Sequence, residues 1–110
     1  MKFSYMVVPA LMFTAAVEVA HADTAQYELV IKDHRFTPTN LDIPAGQKVK
    51  LVVVNKDATP EEFESHDLNR EKIIAGNSKA IIYVGPLKPG TYKFFGEFNP
   101  KTANGTLTVK

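Results

Sequence analysis

Lys48 to Asn55 reads KVKLVVVN, and its centre, Leu51 to Val54, is four aliphatic residues in a row, three of them β-branched. Side chains on a strand point alternately to opposite faces, so this stretch is apolar on both. That is the pattern of a central strand, and β-branched side chains fit a pleated surface better than a helix. The rest of the chain follows the same two-residue beat. YELVIK sets Tyr27, Leu29 and Ile31 against polar neighbours, and NLDIP repeats this with Leu41 and Ile43. KAIIYVG, YKFFG and TLTVK read as further strands, with PAGQ (Pro44 to Gln47) and LKPGT (Leu87 to Thr91) as turns. No segment carries a long helical period. TPEEFES offers Thr59 as a cap, Pro60 at a first-turn position and acidic residues after it, which predicts a single helical turn over 60–65.

Six or seven short strands at this spacing predict an all-β fold, a Greek-key β-sandwich built from antiparallel strands between about Tyr27 and Val109. Its expected core is Leu29, Ile31, Leu51, Val53, Ile82, Phe94 and Leu107. Tyr92, just after the Lys88-Pro89-Gly90 turn, stands where such folds place a tyrosine that hydrogen-bonds back into the preceding loop.

The first 22 residues have another character. Lys2 precedes a mostly apolar stretch from Tyr5 to Val17, and Ala20-His21-Ala22 is a small-x-small cleavage signal. Glu18 interrupts an apolar run shorter than the roughly 20 residues a membrane span needs. Residues 1–22 are therefore expected to be a cleaved export peptide, leaving 23–110 as one small domain with no direct membrane insertion. The leader holds all three methionines, Met1, Met6 and Met12, and His21. With no cysteine anywhere, the remaining domain has no sulfur, and its histidines are His34 and His66. Any metal site in it must use nitrogen and oxygen.

Other chemistries have little to stand on. A net charge of +1 gives no footprint for nucleic acid. There is no thiol nucleophile and no glycine-rich phosphate loop, and Ser65 beside His66 is adjacency rather than a triad. Asn104-Gly105-Thr106 matches a glycosylation sequon but is expected to be a simple hairpin turn.

The succession IKDHRFTPTNLDIPAGQKVKLVVVN, SHDL, PLKPGTYKFFGEF and GTLTV resembles the cupredoxin family over nearly the whole of 23–110. DHRFTP, ATPEEFES and FFGEF look more closely like the periplasmic cupredoxin-like proteins associated with bacterial ferrous-iron permease systems. A cupredoxin electron carrier has a histidine after the central strand, a cysteine at the end of a Tyr-x-Phe strand, a second histidine three residues on, and a methionine. By resemblance His66 stands for the first histidine, Gly96 falls where the cysteine belongs, and Asn99 falls at the second histidine. No blue copper centre can form on such a set.

Gly96 shares a face with Tyr92 and Phe94 and is expected to leave a space where a thiolate would point. The resemblance brings the turn after the first strand to the same end, so the candidate metal ligands are His34, Glu62, Glu64, His66 and Glu97, with Asn99 as a feebler oxygen donor. Two imidazoles and two or three carboxylates suit Cu(II), iron, manganese or zinc, and favour a metal's higher oxidation state. Each has a plainer reading: His34 closes a turn with Asp33, the run Glu61, Glu62, Glu64 is solvated loop, and Glu97 hydrogen-bonds its own loop. Only one of Glu62 and Glu64 is expected to aim inward.

What the resemblance implies is a periplasmic accessory protein that binds copper and/or iron and assists ferrous iron oxidation or uptake, or stores the ion without turnover. Its partners would be an inner-membrane iron permease and other periplasmic components of the same system. The alternative is a metal-free docking module that presents TPEEFES to such a partner.

Overall fold

The computed structural model describes residues 24–110, so the expected export peptide and its cleavage site lie outside the described residues. Among these, nine strands and no helix are found: β1 (Ala25–Lys32), β2 (Arg35–Thr37), β3 (Asn40–Ile43), β4 (Val49–Asn55), β5 (Glu61–Ser65), β6 (Arg70–Ile74), β7 (Lys79–Val84), β8 (Gly90–Phe95) and β9 (Asn104–Val109). They form two sheets, one ordered β2-β1-β4-β7 and the other β3-β9-β8-β5-β6. The expected all-β sandwich is the observed fold. It is not wholly antiparallel, since β1 runs parallel to β4 and β3 runs parallel to β9.

The KVKLVVVN run becomes β4, flanked by β1 and β7. Val49, Leu51 and Val53 face the interior, and even the outward Val52 is buried. Opposite them the five-stranded sheet contributes Phe63, Phe94, Leu107 and Val109. All seven residues expected in the core are buried. Phe94 lies against two other rings, stacked on Phe63 with centroids 5.1 Å apart and edge-on to Phe36 at 4.9 Å. The Tyr92 hydroxyl donates to the Lys88 carbonyl at 2.7 Å, closing the turn it follows.

Two local expectations are overturned. The TPEEFES segment is not a helical turn: Glu61–Ser65 is β5, paired along its length with β6 and at Glu64 with Phe95 of β8. Cap-like residues lost to tertiary pairing because Phe63 is fully buried, and a strand lets Glu61, Phe63 and Ser65 face inward together. Nor is Asn104-Gly105-Thr106 a turn, for it opens β9. A β-carbon on Gly105 would lie 2.3 Å from the Phe94 ring, so glycine is required there for the ring to pack.

Candidate metal centre

β5 sets up the chemistry of this end of the sandwich, because it carries glutamates on both faces. Glu61 points inward and is fully buried. Its Oε2 lies 2.5 Å from His34 Nδ1, and its Oε1 accepts a hydrogen bond from Asn99 Nδ2 at 3.2 Å. Burial raises the Glu61 pKa. The hydrogen bond to Glu61 raises the pKa of His34.

His34 gets there through a tight turn. Asp33 and His34, between β1 and β2, both have left-handed backbones, with φ of 53° and 59°. Their two N–H groups donate to the Asp57 carboxylate at 2.7 and 3.0 Å. Asp57 in turn donates its own N–H to Asn55 Oδ1 at 2.9 Å. Asn55 ends β4 fully inside the protein, and its amide donates to the carbonyls of Thr59, Ile74 and Ala75. Burial acts to raise the Asp57 pKa, but the neighbouring Glu61 side chain and the hydrogen bonds donated by the His34 and Asp33 N–H groups outweigh it and hold the carboxyl below its ordinary value. His34, Asp57 and Glu61 each place a ligand atom within 4.8 Å of the others. The group borders a shallow groove of about 400 Å³ lined by His34, Phe98, Asn99, Pro100, Lys101 and Thr102.

The outer face of the same strand gathers a second group, Glu62, Glu64, Glu71 and Glu97, again with ligand atoms within 4.8 Å. Glu62 is only 2% exposed and accepts the Glu97 N–H at 2.8 Å. Glu64 Oε1 is buried and has no hydrogen-bond partner. Burial, with further contributions from Glu71 and Glu64 partly offset by the Glu97 N–H, pushes Glu62 up to about 7. Burial also raises Glu64, followed by the neighbouring Glu97 and Glu71.

The five candidate ligands are thus divided. His34 stands with Asp57 and Glu61, while Glu62, Glu64 and Glu97 stand together on the other side of β5. Glu62 and Glu64 do not split as expected, because residues two apart on a strand share a face. His66 is outside both groups, with its side chain 80% exposed and Nδ1 3.9 Å from Glu64 Oε2. Its ring is tilted against Phe95, the centroids 5.4 Å apart. The residue that reaches Asn99 is Glu61, not His66. Glu61 hides in an acidic run whose plain reading is solvated loop, and Asp57, outside that run, is marked by no motif. Had the segment been read as a strand with Phe63 inward, Glu61 would have followed by parity.

The expected space beside Gly96 does not exist. A β-carbon there would lie 2.8 Å from the Glu62 carbonyl oxygen and 3.0 Å from the Ala103 methyl. Gly96 also donates its N–H to Ala103 at 2.9 Å, which ties the β8 end to the start of β9.

Known proteins bear on this arrangement. A family profile described as a cupredoxin-like domain matches residues 4–109. A Rickettsia prowazekii (strain Madrid E) protein, RP394, described as uncharacterized, is 45% identical over 84 residues, covering 76% of this chain and 67% of that protein. Among solved structures, auracyanin A, a "blue" copper protein from Chloroflexus aurantiacus, superposes with a TM-score of 0.69 at 16% identity, covering 80% of this chain and 100% of that one. A purple cupredoxin from Nitrosopumilus maritimus gives a TM-score of 0.58 at 24% identity, covering 78% and 99%. The last two likenesses concern the fold alone, whereas the profile spans both sheets and the segments carrying His34, Glu61 and Asn99: the chain belongs to the cupredoxin-like domain family.

Proposed function

We propose that this protein binds a copper or iron ion through His34 and Glu61, and that in the periplasm it assists the oxidation or uptake of ferrous iron alongside an inner-membrane iron permease and other components of that system. One observation carries the reading: a fully buried carboxylate, Glu61, is held between an imidazole and the Asn99 amide at the open end of the sandwich. A buried carboxylate is costly unless compensated, and these partners compensate it without using up its lone pairs. The donor set fits an ion that accepts nitrogen and oxygen, and it does not fit a blue copper centre, since the chain has no cysteine. A Cu(II) ion bound there would supply a one-electron acceptor for Fe(II). Glu61 would bring negative charge that favours the higher oxidation state, Asn99 would orient that carboxylate, and the half-exposed His34 ring, 46% accessible, would leave the site open to solvent.

The docking alternative loses most of its surface, because Glu61, Glu62, Phe63 and Ser65 are all buried. The test is titration of Cu(II) and Fe(II) into the wild type and the His34→Ala and Glu61→Gln variants, followed by calorimetry and electron paramagnetic resonance, with an Fe(II) oxidation assay beside it. Nitrogen and oxygen ligation with at least a tenfold loss in each variant is expected; equal, weak binding by all three proteins would sink the proposal.

A further inference from the structure

Resting on that reading of His34 and Glu61, we infer that Asp57 is a positioning residue rather than an ion ligand: its carboxylate fills the concavity of the left-handed Asp33–His34 turn and so aims His34 at Glu61. Two successive residues with φ of 53° and 59°, neither of them glycine, form a turn that L-residues enter at a cost. Such a turn directs its consecutive N–H groups to one side, and that concavity is an anion site. Here an internal anion occupies it. Each Asp57 oxygen takes one N–H, at 2.7 Å from Asp33 and 3.0 Å from His34, while the His34 ring nitrogen stays 3.6 Å from Asp57 Oδ2, beyond hydrogen-bond reach. The ring nitrogen has gone to Glu61 instead, at 2.5 Å.

Asp57 is itself placed from inside the sandwich. Its N–H donates to Asn55 Oδ1, and the Asn55 amide is fixed to three carbonyls. The order of support therefore runs from a buried strand end, through a carboxylate, to the turn, and only then to the imidazole. Removing the carboxylate frees the turn to relax to ordinary backbone angles and swings His34 off Glu61.

The two roles are separable by rescue. Glycine adopts positive φ without steric cost, so Asp33→Gly makes the turn less dependent on Asp57. The proteins compared are the wild type, Asp57→Ala, Asp33→Gly and the double variant Asp33→Gly/Asp57→Ala, with Asp57→Asn in case the alanine variant folds poorly. Two readouts are used: Cu(II) affinity, and the His34 side-chain nitrogen shifts of the metal-free protein, which report whether Nδ1 is hydrogen-bonded. The inference expects Asp57→Ala to weaken Cu(II) at least tenfold and to lose the hydrogen-bonded His34 signature. Asp33→Gly alone should stay within threefold of wild type, and the double variant should recover both readouts. A double variant that regains the His34 signature but binds Cu(II) as weakly as Asp57→Ala makes Asp57 a ligand and overturns the inference. Unchanged His34 shifts in Asp57→Ala overturn it too. Should His34→Ala bind Cu(II) like the wild type, the metal site has failed, while the nitrogen shifts still decide whether Asp57 positions the ring.

Discussion

The carbonyl oxygen of Glu62 stands 2.8 Å from the point where a β-carbon would leave Gly96, and the Ala103 methyl stands 3.0 Å from it. The place of the missing thiolate is filled by backbone. Gly96→Cys should therefore not restore a blue centre. Forcing a side chain against a carbonyl and a methyl should cost about 1 to 3 kcal/mol, and the copper-loaded variant should show no intense blue band. Thermal melts and visible spectra check both outcomes, and a blue, undiminished variant would contradict the packing at β8 and β9.

Phe94 is 1% exposed and touches both Phe36 and Phe63. Phe94→Ala should destabilise the fold by about 3 to 5 kcal/mol in denaturant unfolding, the usual range for deleting a buried ring.

Glu62 gives a pH dependence with a definite sign. Its pKa is pushed from 4.5 up to about 7, chiefly by burial, so the folded state holds this proton more tightly than the unfolded chain does. The resulting stabilisation is complete below pH 4.5 and is lost as pH rises towards 7. Glu62→Gln keeps an acceptor for the Glu97 N–H and removes the charge, so it should flatten this part of the curve. At pH 8 the variant should be the more stable protein, by on the order of 2 kcal/mol. A series of melts between pH 4 and pH 8 measures it.

His66 belongs to neither group of converging ligand atoms, and its side chain is 80% exposed. His66→Ala should change Cu(II) affinity by no more than about twofold, as expected for an exposed substitution. A loss comparable to that of His34→Ala, measured under the same conditions, would return His66 to the site.

The strands were legible because alternation is local: Leu29 and Ile31, or Leu51 and Val53, declare their face within a few residues. Tyr92 was legible for the same reason, its turn lying just before it. Glu61 and Glu62 were not, because charge in a row ordinarily marks solvated surface. Their burial depends on partners that come from elsewhere, namely His34, Asn99 and the Glu97 N–H. The parallel pairings escaped for a similar reason, since residue patterns announce a strand without naming its neighbour. Gly96 misled in the other direction. An absent side chain suggested a void, but cores close over such gaps, and here the backbone of β5 did so.

The separation of the candidate site's residues along the chain governs when an ion bound as proposed could enter. Glu61 lies 27 residues from His34 and 38 from Asn99, so no short segment can gather the donors before the sheets have formed. Closing such distances takes chain entropy that only the sandwich repays, through long-range pairings such as β1 with β4 and β3 with β9. An ion held there as proposed would be a late arrival and would take no part in the folding nucleus. Refolding should proceed at the same rate with or without Cu(II), while unfolding should slow when the ion is bound.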